Sequence, residues 1–508
     1  MASPRDIANR WQITGALMLA TLMNTLDSTI ANVALPHIQG SVSAAQDQIT
    51  WVLTSYIVAA AIMTPLSGWL SLRIGRKRMF LLSITGFTVA SMLCGIATSL
   101  PEIVAFRLLQ GIAGASMIPL SQTVMLDIFP PEMIPRVMAL WSSAVIMGPI
   151  VGPALGGWLT ENFSWRWVFY INLPIGILAF TGLQLFMDKD EGGLARPFDF
   201  LGFASLITFI GALQIMLDRG PGQDWFGSWE IRIEAAAAAI GLWVFLMQTL
   251  TSAQPFFHRD LFRDRNFATT TVFGLCTAAL MFSTSALLPS MMQNLMGFTV
   301  LESGYASMPR GVGSMVAFLS VPVILARFGA RFALVAGLAL SLVALVAMSR
   351  FDLMMTSMPI MTTGFIQGAG TGLMFAPLTV LAYVTLAPRH RTEGTIVSTL
   401  SRSLGSSVGI SLLQASLIRR TAAAHSVLAG HVQPSDPVFR AVVPAIMSPD
   451  TALGIQLLNG EVTRQAGMIA YDGVFGLLAF AVLAVVPLLF LIRSPNRNGL
   501  TVIDIGGE

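Results

Sequence analysis

Four ionisable side chains stand deep inside long apolar stretches of this sequence: Asp27, Arg107, Arg310 and Arg402. In hydrocarbon such a group must pair with an opposite charge, face a wet cavity or, for the acid, take a proton. Counting at 1.5 Å per residue puts Asp27 about 22 Å from the inner end of its stretch, in the outer half of a bilayer core. A carboxyl raised toward neutrality there can exchange a proton with either side in turn; a static salt bridge to a neighbouring helix is the alternative. Asn24, three residues earlier on the same helical face, extends a polar wall. Arg107 lies roughly 9 Å from the outer end of its stretch and Asp27 roughly 13 Å from that side. The near match in depth predicts that they approach, so that protonating Asp27 frees the arginine and substrate competes with the pair. An Arg107 satisfied by backbone carbonyls is the alternative.

Arg310 and Arg402, with Arg107, leave three in-span positive charges against one negative. That excess favours weakly acidic or neutral amphipathic substrates over permanent dications. If both arginines instead bond carbonyls at the helix breaks marked by Pro309-Arg310-Gly311 and Gly405, the inference lapses. Gln110, Gln122, Gln293, Asn294 and Gln367 are amides in apolar surroundings, where an unpaired amide costs several kcal/mol. Each therefore lines a cavity or ties two helices. Among 28 methionines, Met281, Met291, Met292 and Met374 suit a pocket that repacks around different ligands. Gly148, Gly152, Gly156 and Gly157 with Pro149 and Pro153 remove bulk and backbone bonding within ten residues. A neighbouring helix can close on that face, either as a seal or as ordinary packing.

Other chemistries lack their residues. There is no Gly-x4-Gly-Lys phosphate loop, no His-Glu-x-x-His, no metal-ligand spacing and no convincing nucleophile with its base, so direct use of ATP, hydrolysis and a bound metal are disfavoured. Cys94 and Cys276 sit in apolar runs and read as small buried hydrophobes. With two lysines among 29 basic residues and no basic run, nucleic acid is set aside.

These residues need a membrane scaffold. Of 508 residues 54% are hydrophobic and 11% charged, and mean hydropathy is +0.72, far from the roughly 25% charged residues of a soluble chain. Breaking the chain at charge and turn clusters predicts fourteen spans near 12–36, 49–71, 79–98, 102–125, 137–159, 167–187, 199–217, 233–252, 267–292, 303–326, 332–349, 357–386, 394–418 and 471–492. The segments 200–217 and 332–349 are the shortest, and a re-entrant course is the alternative for each. The first run lacks a small-residue cleavage site and reads as a retained span. With the N-terminus in the cytoplasm, eighteen Lys and Arg fall in inner loops and eight in outer ones, which predicts both termini inside.

An offset of 257 residues superposes Gln110-Gly111 on Gln367-Gly368, Pro131 on Pro388, and Gly148 and Gly152 on Gly405 and Gly409. Arg73 and Gly75 recur as Arg327 and Gly329 at an offset of 254. Six spans thus resemble six others in the same orientation, a parallel repeat with a midplane site between halves. The expected units are 1–190, an inserted pair and linkers at 191–260, and 261–508, with a long outer loop at 419–470.

Several motifs carry a family resemblance. Gly68-Trp-Leu-Ser-Leu-Arg73-Ile-Gly75-Arg76-Lys77 resembles the loop signature of the major facilitator superfamily, and Arg107-Leu-Leu-Gln110-Gly111 its fourth-span motif. Gly148 to Gly157 resembles the fifth-span antiporter motif. With Leu26-Asp27 to Pro36 and Leu213 to Gly220, the chain resembles, over nearly its whole length, the fourteen-span drug:proton antiporters of the Emr type. The resemblance implies an all-α integral membrane protein of the major facilitator fold (6+2+6 helices) in the inner membrane. It also implies multidrug efflux by alternating access, driven by the proton gradient with no cofactor, in a secondary transporter rather than an enzyme.

The same resemblance gives the Gly148–Gly157 segment a role against proton leak, and Gly68, Arg73, Gly75 and Arg76 a place at the cytoplasmic gate. Arg73 to Arg78 equally satisfy plain inside-positive topology. Leu72 stands where the superfamily loop usually has Asp, which leaves the usual clamp open. A periplasmic membrane-fusion adaptor and outer-membrane channel would meet the loop 419–470, with His425, His431, Pro434, Pro437 and Pro444; a lid over the outer vestibule is the alternative. A dedicated metabolite or lipid exporter and a transport-dead sensor or scaffold are the competing functions.

Overall fold

The computed structural model describes residues 9–45, 48–49, 51–188, 197–432, 444 and 447–492, and every regular element among them is helical. Arg5, Lys189, Arg196, Pro434, Pro437, Arg440, Arg493, Arg497 and the expected boundary at 190–191 lie outside the described residues. Helicity follows from the solvent: in hydrocarbon each backbone amide must bond within its own segment.

The long helices are α1 (Arg10–Ser41), α2 (Trp51–Ile74), α3 (Arg76–Ile96), α4 (Leu100–Gly114, continued by Met117–Ile128), α5 (Ile134–Asn162) and α6 (Asn172–Phe186). Then come α7 (Phe200–Arg219) and α8 (Trp229–Thr251). The second set is α9 (Arg265–Asn294), α10 (Val300–Phe328), α11 (Ala330–Met348), α12 (Ser357–Val384), α13 (Arg391–His431) and α14 (Ala452–Val485). Among the described residues thirteen segments are long and apolar enough to cross a membrane. The remaining one, α1, has 32 residues but carries Thr14, Thr21, Asn24, Thr25 and Asp27 on its buried side. The two shortest expected spans are continuous helices of 20 and 19 residues, about 30 Å each and long enough to cross.

The repeated residues occupy equivalent places. Gly75 and Gly329 turn the chain into α3 and α11 with φ of 90° and 82°, a backbone region that glycine adopts without strain. A side chain at Gly111 would overlap the Tyr56 carbonyl of α2, and one at Gly368 the Arg310 carbonyl of α10. Gly148 and Gly152 of α5 press on Thr25 and Thr29 of α1, as Gly405 and Gly409 of α13 press on Leu275 and Ala279 of α9. Small residues let these backbones approach where no hydrophobic force drives helix association.

One helix of the inserted pair contacts both repeats. From α7, Asp218 Oδ2 accepts from Thr54 Oγ1 of α2 at 2.5 Å, and the Leu217 carbonyl accepts from Ser411 Oγ of α13 at 2.5 Å. Thus α7 bridges the two repeats, while α8 lies against it and exposes Ile240, Trp243 and Leu246. The long outer loop expected at 419–470 is largely helical where it is described: α13 runs to His431 and α14 starts at Ala452. The described parts of that segment thus prolong the two spans. His425 Nε2 and Asn459 Oδ1 join the two extensions at 2.9 Å.

Candidate functional site

Asp27 and Arg107 meet. Arg107 Nη1 donates to Asp27 Oδ2 at 2.6 Å, and both side chains are 0% exposed. Asp27 Oδ1 accepts from Gln110 Nε2 at 2.9 Å and from Asn172 Nδ2 at 2.8 Å. One carboxylate of α1 therefore binds donors from α4 and α6. The arginine is held in turn by Gln110 Oε1 at 2.8 Å and the Val52 carbonyl at 3.1 Å, and its guanidinium lies over the Tyr56 ring at 4.2 Å.

A buried pair of this kind is expensive to break from one side, about 3–5 kcal/mol. The supports of Arg107 other than Asp27 lower the cost of leaving it alone, since a desolvated cation over an aromatic face recovers up to about 2 kcal/mol. Asn172, Ser91, Cys94 and Tyr56 complete the site, and sequence reasoning did not reach them. Asn172 Nδ2 also donates to Ser91 Oγ at 2.9 Å, and Cys94 Sγ lies 3.8 Å from Gln110 Oε1. The cost of a buried amide, applied to the glutamines, applies equally to Asn172 and is the signal that identifies it.

The Gly148–Gly157 segment touches the same helix. Thr25 and Thr29 flank Asp27 in α1; Thr29 Oγ1 donates to the Gly148 carbonyl at 3.2 Å, and a side chain at Gly152 would strike Thr29 Oγ1. The other edge of α5 meets α10, where Ile150 and Ala154 fill the space left by Gly311 and Gly304. The residues flanking Asp27 in α1 therefore pack on a seam that also joins the repeats.

At the face where Arg76, Arg259 and Arg391 gather, here termed the basic face, one aspartate joins two of the arginines. Asp127 at the end of α4 accepts from Arg76 Nη1 at 2.6 Å and from Arg391 Nη1, the first residue of α13, at 3.1 Å. Arg391 Nη1 also donates to the Leu126 carbonyl at 2.9 Å. This clamp of Asp127 on Arg76 and Arg391 crosses between repeats. Behind it Thr123 and Thr395 share a hydrogen bond at 2.8 Å, Gly68 packs on Ile396, and Trp141 stacks on Phe375 at 6.4 Å. Arg73 is exposed over the Trp69 ring, whereas Lys77 donates to the Gln184 and Met187 carbonyls at the end of α6. His390, buried beside Arg391, lies 5.2 Å from the His258 ring. Burial holds its imidazole below the ordinary range, against the opposing pull of Glu393.

The remaining expected cavity residues separate. Asn24 Nδ2 donates to the Gly114 carbonyl at 3.1 Å. Gln293 Nε2 lies 3.4 Å from Ser303 Oγ, and Asn294 Nδ2 donates to Ser290 at 3.1 Å. Gln367 and Arg310 converge on Thr284, with Arg310 Nη2 donating to the Met281 carbonyl at 2.9 Å. For Arg310, then, the carbonyl alternative describes the contact. Gln122 is fully buried with neither amide atom bonded, and Arg402 lines a pocket between α9, α12 and α13. Met281, Met291, Met292 and Met374 are packed in the interior, Cys94 is buried and Cys276 half-buried.

A family model described as Major Facilitator Superfamily matches residues 17–410. The chain is 35% identical over 504 residues to "Multidrug export protein EmrB" of Escherichia coli (strain K12), covering 96% of each chain. It is 34% identical over 498 residues to "Fatty acid resistance protein FarB" of Neisseria gonorrhoeae, covering 96% of this chain and 97% of that one. In fold it is similar to the crystal structure of the human organic anion transporter MFSD10 (TETRAN), with a TM-score of 0.56 at 16% identity, over 93% of this chain and 99% of that one.

Proposed function

Because the chain belongs to the major facilitator superfamily, in the group of EmrB-type multidrug export proteins, we propose that it exports lipophilic drug-like molecules from the cytoplasm in exchange for entering protons. Membership makes it a multi-pass membrane transporter. The finer reading places it in the inner membrane with the basic face cytoplasmic, as the inside-positive rule asks.

The observation that carries the coupling is the occluded Asp27–Arg107 pair at 2.6 Å. A proton on Asp27 removes the charge that joins α1 to α4 and α6, and the adjoining α1–α5 seam shifts with it. Arg107, still anchored by Gln110 and Val52, then becomes a free positive charge that deprotonation recaptures. Alternation of these two states links proton uptake from outside to the change in access. One proton moving down 100 mV supplies about 2.3 kcal/mol, several tens-fold in concentration ratio. On the outer side the prolonged α13 and α14 offer a seat for a periplasmic membrane-fusion adaptor, with an outer-membrane channel beyond it.

The test uses inverted membrane vesicles holding a respiration-driven pH gradient, with proton release read by a pH dye after adding a weakly acidic amphiphile that is not an uncoupler, or a lipophilic cation. Substrate-dependent release is expected in the wild type and absent in Asp27→Asn. A mutant that matches the wild type refutes the coupling role of Asp27, and a silent wild type refutes antiport.

A further inference from the structure

The internal repeat reaches into the coupling site. The offset of 257 residues that places Gln110 on Gln367 also places Asp27 on Thr284, and the contacts agree. Gln110 Nε2 of α4 donates to Asp27 Oδ1 of α1 at 2.9 Å, and Gln367 Nε2 of α12 donates to Thr284 Oγ1 of α9 at 2.9 Å. An arginine attends each acceptor: Arg107 Nη1 lies 2.6 Å from Asp27 Oδ2, and Arg310 Nη2 lies 3.4 Å from Thr284 Oγ1. The helix that bears the arginine differs. In the place of Arg107, α12 carries Gly364, and Arg310 Cβ of α10 lies 3.7 Å from where a side chain there would begin. Arg310 in turn stands where α2 has Tyr56, since its carbonyl meets Gly368 as the Tyr56 carbonyl meets Gly111.

Charge separates the two copies. Asp27 can take and lose a proton, and with it the charge that holds Arg107. Thr284 has no proton to exchange: its hydroxyl donates to the Leu280 carbonyl at 2.7 Å, and its oxygen receives the glutamine and the arginine. Arg310 is met by neutral oxygens, the Met281 carbonyl at 2.9 Å and Thr284. Gln110 Oε1 accepts from Arg107, whereas Gln367 Oε1 is buried without a partner, because the second arginine arrives from another helix. Among the described residues the buried carboxylates are Asp27 and Glu393. Glu393 lies in the first turn of α13 at the basic face, where it accepts from the His258 amide at 2.9 Å.

We propose that the second repeat holds a proton-blind copy of the coupling site, with Thr284 in place of the acid, and that exchange therefore runs at one proton per cycle. The proposal rests on the exporter reading and adds its stoichiometry. Protonation loosens the joint of α1 with α4 and α6, while the joint of α9 with α10 and α12 carries the same charge in both states. An acid at position 284 would meet two donors already in place, Gln367 and Arg310, so the proton site can be moved from one repeat to the other.

The test uses proteoliposomes of the full-length chain with the membrane potential held at zero by potassium and valinomycin, a pH step across the bilayer, and ethidium or 2-naphthoate at graded inside-to-outside ratios. Protein-free liposomes are the reference. At zero potential each proton exchanged balances about a tenfold substrate ratio per pH unit. Net flux in the wild type should reverse at that ratio, and Asp27→Asn should show no pH-driven flux. Adding Thr284→Asp to Asp27→Asn should return pH-driven flux to about a fifth of wild type or more, with the same reversal ratio. Thr284→Asn in that background matches the size without the proton and should stay silent. Wild-type reversal near a ratio of about a hundredfold per pH unit, the value for two protons, overturns the proposal. So does an Asp27→Asn/Thr284→Asp protein that elutes as the wild type on gel filtration yet stays silent; if that protein does not fold, the wild-type reversal ratio decides. A wild type that couples neither probe to the pH step refutes the exporter reading itself.

Discussion

The clamp on the basic face can be opened by removing one charge. Asp127 joins the repeats through Arg391 at 3.1 Å, with the two side chains 27% and 19% exposed, and Arg76 holds the aspartate in place from its own repeat at 2.6 Å. A half-exposed ion pair contributes about 0.5–1 kcal/mol, so Asp127→Asn should raise the population open at this face about two- to fivefold. Arg391→Ala also removes the bond to the Leu126 carbonyl, worth about 1 kcal/mol more, and should raise it roughly tenfold or more. The double variant should match Arg391→Ala, because the pair can be lost only once.

Thr395 is fully buried behind the clamp, so Thr395→Cys in a Cys276→Ser background reports opening through its rate of modification by a membrane-impermeant thiosulfonate in inverted vesicles. Cys94 is fully buried and stays silent. Raising salt from 0.1 to 1 M, which shortens the screening length from about 10 to 3 Å, should speed labelling of the wild type toward that of Asp127→Asn. If Asp127→Asn labels within error of the wild type at low salt, or if the two single effects add, the aspartate does not hold the repeats together.

Other expectations follow from the same contacts. Arg107→Lys keeps the charge, but one ammonium cannot serve Asp27, Gln110 and the Val52 carbonyl in the arginine's geometry; substrate-driven proton release should fall at least tenfold while the protein still folds, as judged by gel filtration. Gly152→Leu drives a side chain into Thr29 and should lower stability by about 1–3 kcal/mol, seen in thermal unfolding, with a faster passive proton leak in vesicles. His390 has its pKa lowered by burial, so the stability it contributes is full above its unfolded value of about 6.5 and is lost as pH falls through the lower folded value. His390→Gln should flatten that acid-side decline in thermal stability, and an unchanged decline would assign it to other groups.

Much of this architecture was legible along the chain. Hydropathy of the runs and an offset of 257 residues suffice for a repeated, membrane-spanning fold, because transfer into hydrocarbon depends on local composition and small residues recur wherever backbones must touch. The Asp27–Arg107 contact was legible too, since depth follows from residue count and a buried acid needs a buried partner. Tertiary structure decided what depends on helix rotation and on neighbours distant in sequence. Asn172 joined the acid because α6 turns that face to α1, and Asp127 paired with Arg391 because α4 ends beside the start of α13. The course of α7 between α2 and α13 follows from contacts at both ends of a long sequence separation. The sharpest division lies between Arg310 and Arg402, identical in type and both in apolar runs. One donates to a carbonyl and the other meets the Thr399 hydroxyl and the Phe375 ring, a difference set by which helix stands opposite, since residue type states only that a buried cation must be answered.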